Sequence, residues 1–397
     1  MIQKILVDDI RVGMFIRDTG ISWTQAPYLY AREGLLTSQR EIDAIRREGY
    51  LEAFVDLARS TPEVQAAFKP QAKDIGESRS VPAQSHSVPL EEEIVQARKV
   101  YAQALQFART FIQKARAGAA PSVSESEAFV GEMVDSALRN ETALLNLFKL
   151  KNYDEYTYTH CVNVAVLAVV YGKYLELPQD ELRLLGVAGL LHDIGKEHVP
   201  GTILNKPGRL TPSEFKIVQR HSREGHDMIQ SQRGIHPRIL RSIVEHHEKF
   251  NGNGYPEGLS GSSIDPFSSI ISLADIYDAL TSRRPYKEPM PLQKALKIIY
   301  AMREKDIQGE MVDGFVKCLG VYPVGSLVKL SDSSCALVIE IRPENLLRPK
   351  VRKIRVSNGI VHKGDIVDLL DEATQELGIV DCFDARNLSL DPQILFT

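Results

Sequence analysis

The chain has 397 residues, 43% of them hydrophobic and 25% charged, a composition typical of folded globular proteins that excludes wholesale disorder. Lys and Arg number 48 and Asp and Glu number 52, so the net charge of −4 argues against a polybasic binder of polymeric nucleic acid. The length predicts two or three domains, since ~100–200 residues per domain is typical.

The sequence also indicates where the protein works. No apolar run approaches the ~20 residues that a membrane helix needs. The N-terminal segment interrupts its apolar residues with Asp8, Asp9 and Arg11, unlike a signal peptide. The four cysteines are scattered and form no CxxC pair, which argues against a disulfide framework or a structural zinc site. We therefore expect a reduced, cytoplasmic protein with no membrane partner.

The first part of the chain predicts a small domain followed by a linker. In residues 1–58, short apolar stretches typical of strands flank TSQREIDAIRREG, whose spacing predicts a helix, so we expect a small α+β domain. In residues 59–90, four prolines lie among Ser, Gln and Ala without an apolar period. That composition indicates a linker or a mobile loop.

The rest of the chain changes from helical to strand-like spacing. Residues 91–150 have the period of amphipathic connecting helices, and residues 151–317 are helical almost throughout. Residues 318–397 contain short β-type runs between turn residues, which predicts a small β-rich subdomain. The expected fold class is multidomain, mainly an all-α helical bundle, with a small α+β N-terminal domain and a β-rich C-terminal subdomain.

Histidine is concentrated in the predicted bundle, where eight of the ten histidines lie between His160 and His247. With nearby carboxylates they form a set of metal-competent side chains: His160, His192, Asp193, His221, His246, His247 and Asp275. The gaps between successive clusters are 32, 28, 25 and 28 residues, each about one helix plus one connection. Helices of a bundle can therefore each deliver ligands to one centre. Imidazole and carboxylate ligands without thiolate suit Fe, Mn, Zn, Ni or Co.

Two pairs of sequence neighbours, His192–Asp193 and His246–His247, favour two ions over one. Neighbours on a helix diverge by ~100°, so they can reach two ions ~3.5–4 Å apart more readily than they chelate a single ion. A carboxylate such as Asp193 can bridge such a pair. A single histidine is more often a surface or satisfied core residue, and we keep that interpretation for the others: His86, His198, His226, His236 and His362.

Three segments resemble the motifs of a known family. LLHDIGK at 190–196 resembles the HD motif of the metal-dependent phosphohydrolases. HHEKFNGNGYP at 246–256 and DIYDALTSRRPYK at 275–287 resemble the further motifs of the HD-GYP subfamily. The match runs from about residue 156 to residue 300, and LVDDIRVGMFI and CLGVYPVGSLVKL more weakly resemble accessory regions of one branch. The resemblance implies a bacterial phosphodiesterase for cyclic di-GMP, and some members act on cyclic GMP–AMP.

The resemblance also implies which side chains hold the metals. One metal would be held by His160, His192, Asp193 and Asp275. The other would be held by Asp193, His221, His246 and His247. Iron or manganese is favoured by ligand type and by the resemblance. Some members of the family carry a Glu one turn before the leading His, which helps to recruit a third metal. This chain has Tyr156 there, so we expect two metals.

Further residues would contact the substrate. The resemblance places Lys196 against a substrate phosphate, and Arg284 and Lys287 against a phosphate or a guanine, as cationic side chains suit a dianionic ligand. Asp278, one turn after Asp275, is expected to orient a metal ligand, although a capping or surface carboxylate is the alternative.

The GYP segment predicts a tight turn, because its glycines permit positive φ and its proline fixes the exit. Its residues are Gly252, Gly254, Tyr255 and Pro256. The resemblance implies a lip beside the substrate or a docking site for a protein partner such as a diguanylate cyclase domain. Asn251 stands where the family usually has Asp, a nearly isosteric change that should preserve the turn.

We therefore expect a two-metal phosphodiesterase that opens cyclic di-GMP to linear pGpG, with GMP as a further product. A metal-activated hydroxide would attack phosphorus, and the ribose 3′ oxygen would leave. The first alternative is a preference for cyclic GMP–AMP, because base choice depends on pocket contacts that the sequence does not locate. An alternative of another class is a non-catalytic cyclic dinucleotide receptor or docking module, against which the complete ligand set argues. The sequence leaves the oligomeric state open.

Overall fold

The structure is a computed structural model that describes residues 2–17, 29–30, 33–47, 52–67, 87–117, 122–147, 156–232, 234–282, 289–342, 345–357 and 360–383. The chain divides into two compact units, residues 1–83 and 84–397. Within the described ranges, no helix combines the length and the apolar composition that crossing a membrane requires.

The first unit is built on a sheet with five strands among its described residues. The strands are β1 (Ile2–Leu6), β2 (Phe15–Ile16), β3 (Leu29–Tyr30), β4 (Gly34–Leu35) and β5 (Glu52–Asp56). β5 pairs antiparallel with β1 and β2 and parallel with β3, and β4 pairs antiparallel with β2. Helix α1 (Gln39–Arg47) buries Ile42 and Ile45 in the apolar core of this unit. The predicted small α+β domain is confirmed.

The structure differs from the predicted linker at its start. Residues 57–59 form a 3-10 helix, and Pro62–Ala67 form helix α2. Pro62 stands at the first helical position, where its missing N–H costs nothing, and Val64 is buried in the apolar core. Among the side chains described in this short helix, that of Val64 alone is buried, and one such residue gives no periodic pattern that would predict a helix. Residues 68–86 of the predicted linker lie outside the described residues.

The second unit contains the predicted helical bundle. Its helices are α3 (Leu90–Arg116), α4 (Ser124–Leu147), α5 (Tyr156–Tyr174), α6 (Gln179–Leu191), α7 (Gly201–Leu204), α8 (Pro212–Gln219), α9 (His221–Ile229), α10 (Pro237–Glu245), α11 (Pro266–Thr281), α12 (Leu292–Tyr300) and α13 (Gly309–Leu319). The mainly helical fold class is therefore confirmed.

Helix α5 lies at the centre of the bundle. Every residue from 162 to 171 is buried, and the helix contacts α3, α4, α6 and α11. A sequence that is apolar all round, as in this stretch, is typical of a helix buried on every side. The long helix α3 has one apolar face instead and buries residues such as Ala97, Tyr101, Ala104 and Ala108 against the bundle.

A second sheet follows the bundle, as the β-type runs predicted. Its strands are β6 (Leu327–Leu330), β7 (Cys335–Glu340), β8 (Lys350–Ser357), β9 (Ile360–Asp368) and β10 (Ile379–Phe383). They lie in the order β10-β6-β7-β8-β9, with neighbouring strands antiparallel. The β-rich C-terminal region is confirmed.

Candidate metal centre

The seven metal-competent side chains come from five places in the bundle and lie together. α5 carries His160, the end of α6 leads into His192 and Asp193, and α9 begins at His221. The remaining three are His246 and His247, which follow α10, and Asp275 in α11. Six of the seven are buried, and His247 is partly exposed. Helix ends deliver most of them, so their side chains converge from different directions.

The donor atoms of these residues form two groups. Those of His160, His192 and Asp275 lie within 4.8 Å of one another. A second group, also within 4.8 Å, consists of Asp193, His221, His246 and His247. The two groups correspond to the two ligand sets that the family resemblance implied, apart from the sharing of Asp193.

Asp193 lies between the two groups. Its Oδ2 is 3.4 Å from Nε2 of His160 and 3.4 Å from Nε2 of His192. Its Oδ1 is 3.4 Å from Nε2 of His221 and 3.8 Å from Nε2 of His246. Each oxygen of this one carboxylate therefore faces a different group, which is the geometry of a bridging ligand.

Backbone carbonyls fix the orientation of three histidine rings. Nδ1 of His192, of His221 and of His246 lies 2.6–2.8 Å from the carbonyl oxygen three residues earlier. A carbonyl only accepts, so each Nδ1 donates its proton and each Nε2 turns an unprotonated lone pair towards the centre. Outer contacts of this kind hold a metal-binding tautomer in place.

The protonation states suit cation binding. Burial lowers the pKa of His221 to about 4 and that of His247 to about 3, and it also lowers the pKa of His246, so these rings are neutral at pH 7. Burial alone would raise the pKa of Asp193, but the adjacent ring of His192 and the ammonium of Lys196 outweigh it and hold that pKa well below its usual range. The pKa of Asp275 is also lowered, because the nearby ring of His160 acts against the effect of burial.

Two buried polar atoms in the cluster lack a hydrogen-bond partner among the described residues. They are Nε2 of His192 and Oδ1 of Asp193. An unsatisfied buried polar group typically costs ~1–3 kcal/mol. Coordination to a cation would satisfy both atoms, and a set of nitrogen and oxygen donors without thiolate suits first-row divalent metals. The residues present therefore fit a metal centre.

Lys196 stands beside the cluster. It lies in the 3-10 helix Ile194–His198, its ammonium contacts Oδ2 of Asp193 directly, and its side chain is 25% exposed. Gly195 precedes it, and a Cβ at Gly195 would overlap the backbone of His221 and Gly225. Only glycine allows this segment to lie so close to α9. Gly195 is part of the LLHDIGK motif, but the sequence alone did not predict its packing role.

The GYP segment covers one side of the cluster. A Cβ at Gly254 would overlap the backbone of Glu248, so glycine is needed for the loop to pack there. The backbone N–H of Tyr255 donates to the carbonyl of His247, and the two rings lie 4.8 Å apart between centroids. Phe215 on α8 meets Tyr255 edge to face at 6.0 Å. Phe215 was not predicted from the sequence, where it reads as one more apolar residue of an amphipathic helix.

Glu248 holds the far end of this loop and was also missed by sequence reasoning. Its buried carboxylate accepts the backbone N–H groups of Glu257, Gly258 and Leu259 at 2.6, 3.1 and 2.9 Å. The HHE motif thus combines two cluster histidines with a carboxylate that anchors the GYP loop. Its position next to His247 was the one available signal.

Other predicted residues have different fates. Asp278 is buried, and its Oδ2 lies 2.7 Å from Nδ1 of His160. His226 pairs with Asp227, and His236 accepts from the N–H of Arg238 at the start of α10, both outside the cluster. Arg284, Lys287 and the side chain of Tyr156 lie outside the described residues.

Known families and proteins resemble this chain. Residues 137–310 match the HD domain, and residues 2–126 match a domain of unknown function, DUF3391. A Pseudomonas aeruginosa protein named cyclic di-GMP phosphodiesterase is 35% identical over 352 residues, which cover 89% of this chain and 85% of that protein. A Vibrio cholerae protein named 3′3′-cGAMP-specific phosphodiesterase 1 is 40% identical over 150 residues, 36% of this chain and 33% of that protein.

Among solved structures, a protein from Bdellovibrio bacteriovorus described as a HDG"Y"P protein aligns with a TM-score of 0.47 and 18% identity, covering 79% of this chain and 98% of that chain. The identity to the Pseudomonas protein extends over most of both chains, and each of the three motif segments contributes a residue to the cluster described above. The chain therefore belongs to the HD-GYP family of metal-dependent HD phosphohydrolases.

Proposed function

We propose that this protein is a phosphodiesterase that hydrolyses cyclic di-GMP to linear pGpG. The observation that carries the proposal is the arrangement of seven imidazole and carboxylate side chains in two groups, with the Asp193 carboxylate facing both. The relative that is 35% identical over most of both chains bears the name of a cyclic di-GMP phosphodiesterase. Ligand chemistry and sequence similarity thus agree on the hydrolysis of a phosphodiester.

Two divalent ions, iron or manganese, would be held by the cluster. One would be held by Asp193 together with His160, His192 and Asp275. The other would be held by Asp193 together with His221, His246 and His247. Bound divalent ions supply stabilisation of negative charge on phosphate oxygens and lower the pKa of a water molecule.

The side chains around the cluster would hold and neutralise the phosphate. Hydrolysis joins the oxygen of a water molecule to phosphorus and breaks the bond from phosphorus to the ribose 3′ oxygen, which gains a proton. Lys196 is partly exposed beside Asp193, so its ammonium can turn to a phosphate oxygen. Tyr255 covers His247 and would exclude bulk water from that side of the site.

Two aromatic rings beside the cluster offer a surface for a guanine base. Tyr255 connects His247 to Phe215, and Phe215 is 45% exposed. Stacking of a base on an aromatic side chain contributes ~1–3 kcal/mol. We place one guanine of the substrate against Phe215. Arg284 and Lys287 would bind a phosphate or the other guanine, as the family resemblance implies.

Cyclic GMP–AMP is the second candidate substrate. The Vibrio cholerae relative that is 40% identical over 150 residues is named for that specificity. The alignment with this relative covers 33% of the relative's length. The alignment with the Pseudomonas relative named for cyclic di-GMP covers 85% of that protein. Cyclic di-GMP is therefore the primary proposal.

The test combines metal analysis with turnover. The full chain is purified anaerobically, its metals are counted, and it is incubated with Mn²⁺ or Fe²⁺ and either cyclic dinucleotide, with products resolved by chromatography. We expect about two metals per chain and the appearance of pGpG. If the protein hydrolysed cyclic GMP–AMP and not cyclic di-GMP, the assigned substrate would be cyclic GMP–AMP. Bound metal without turnover of either would contradict the proposed function.

A further inference from the structure

A buried chain of hydrogen bonds leads from the metal centre to helix α3. Nδ1 of His160 lies 2.7 Å from Oδ2 of Asp278. Oδ1 of Asp278 accepts from Nδ2 of Asn163 at 2.8 Å and from the hydroxyl of Ser282 at 2.7 Å. Oδ1 of Asn163 accepts the hydroxyl of Tyr101 at 2.7 Å. All five side chains are buried.

The chemistry of each group fixes the direction of this chain. The carboxylate of Asp278 accepts, so Nδ1 of His160 carries the proton, and the unprotonated Nε2 faces Asp193 and Asp275 at 3.4 and 3.2 Å. The amide of Asn163 donates to Asp278, which leaves its oxygen for Tyr101. Burial raises the pKa of the Tyr101 phenol, so its hydroxyl remains a donor.

We infer that Asn163 and Tyr101 are positioning residues for the metal ligand His160, acting through Asp278. Asn163 supplies Asp278 with a donor, and Tyr101 fixes the amide of Asn163 in the orientation that makes this donation. The inference uses the proposed function only in requiring that the cluster binds metal. No motif identified either residue in the sequence, where Tyr101 follows the apolar pattern of an amphipathic helix.

Tyr101 extends the metal centre beyond the part of the chain that matches the HD domain. That match begins at residue 137, whereas Tyr101 lies in α3, within the 2–126 match to DUF3391. α3 also reaches the other side of the centre, where Nε of Arg116 donates to Glu197, the residue after Lys196, at 2.7 Å. Helix α3 therefore supports both the His160 side and the Lys196 side of the cluster.

The consequence concerns metal affinity. Loss of an outer hydrogen-bond partner of a metal ligand typically weakens metal binding or activity ~10–100-fold. Asn163→Ala removes a donor from Asp278 directly. Tyr101→Phe removes one hydroxyl and leaves the Asn163 amide free to rotate, so its effect should have the same direction and a smaller size.

The experiment measures metal binding by the full chain without substrate. Wild type, Asn163→Ala and Tyr101→Phe are loaded with Co²⁺, and the metal is removed by a titrated chelator while the Co²⁺ absorption spectrum is recorded. Tyr171→Phe is the matched control, because Tyr171 is equally buried and its hydroxyl donates to the carbonyl of Met311, away from the centre. Thermal unfolding of each protein reports on folding.

We expect half-removal of Co²⁺ from Asn163→Ala at about a tenfold lower chelator concentration than from wild type. Tyr101→Phe should shift in the same direction with an altered spectrum, and Tyr171→Phe should behave as wild type. Wild-type retention in a folded Tyr101→Phe protein would overturn the role of Tyr101, even if Asn163→Ala fails to fold. A wild-type chain that holds Co²⁺ but hydrolyses no cyclic dinucleotide would contradict the proposed function alone.

Discussion

Gly195 lies directly against the backbone of His221, so that a Cβ at Gly195 would overlap the carbonyl oxygen of His221. The segment that carries Asp193 and Lys196 thereby packs onto the helix that begins with His221. The distance of 3.4 Å between Oδ1 of Asp193 and Nε2 of His221 depends on this close approach. The glycine of the HD motif is thus a packing requirement of the cluster.

Gly195→Ala should therefore separate Asp193 from His221 and weaken metal binding. We expect a substantially lower metal content per chain and a lower thermal unfolding midpoint, because backbone must move to accommodate the methyl group. Gly201→Ala is the control, since a Cβ there would lie 3.8 Å from Nδ2 of Asn205, its nearest neighbour. Equal metal content in the two variants would show that the close approach is not needed.

Asp193→Ala should abolish activity, because it removes the one carboxylate that faces both groups of the cluster. We expect turnover to fall at least about a hundredfold, given that bound metal ions supply several kcal/mol of charge stabilisation. Metal content measured on the same sample should fall as well. His226→Ala, on the same helix as His221 but paired with Asp227, should keep wild-type turnover. A fully active Asp193→Ala protein would rule out the bridging role.

Phe215→Ala should weaken substrate binding and leave the chemical step nearly unchanged. The ring is partly exposed, so we take the lower end of the stacking range, about 1 kcal/mol, which is roughly a fivefold rise in KM. Steady-state kinetics with cyclic di-GMP separate KM from kcat. Phe215→Trp keeps an aromatic face and should retain a low KM, with a fluorescence change on binding. An unchanged KM in Phe215→Ala would remove this residue from the substrate site.

Glu248→Gln should loosen the end of the GYP loop. The carboxylate accepts three backbone N–H groups, whereas an amide offers one accepting oxygen, so at least one of these N–H groups loses its partner. We expect the loop to be destabilised by about 1–3 kcal/mol. Hydrogen exchange of Glu257, Gly258 and Leu259 should accelerate accordingly. Glu310→Gln, at an exposed position of α13, should leave that exchange unchanged.

Glu214 should make helix α8 more stable at neutral than at acidic pH. Its hydrogen bonds to Lys206 and to the N–H of Thr211 lower its pKa from 4.5 to about 2. A carboxyl with a depressed pKa in the folded state contributes stability above its unfolded pKa, and that contribution is lost as pH falls from about 4.5 to about 2.

The measurement compares thermal unfolding of wild type and Glu214→Gln across pH. The variant should unfold at a lower temperature than wild type at pH 7, and the difference should narrow as pH falls below 4.5. A difference that stays constant over that range would show that the ionised carboxyl does not contribute. Because α8 carries Phe215, the variant should also raise KM slightly at neutral pH.

Several features of the centre follow from the sequence because they depend on residue type and on helix-scale spacing. His160, His192, His221, His246 and Asp275 are separated by about one helix and one connection each, and a bundle brings such positions together. The candidate ligands include no thiolate, and this feature of the sequence favours Fe, Mn, Zn, Ni or Co. The helical core and the β-rich C-terminal region also follow from periodicity, which reports which face of each element is buried.

Other features exist only in the folded chain. They are contacts between residues that lie far apart in sequence. Examples are the orientation of the two Asp193 oxygens, the edge-to-face contact of Phe215 with Tyr255, and the hydrogen bonds that link Tyr101 through Asn163 to Asp278. The spacing of a phenylalanine or tyrosine on an amphipathic helix is the same whether the side chain packs in the core or supports a functional site. The sequence by itself predicted which residues could serve as ligands and the chemistry that such ligands favour. The tertiary structure decided their orientation, because hydrogen-bond direction and ring contact depend on distances that periodicity does not encode.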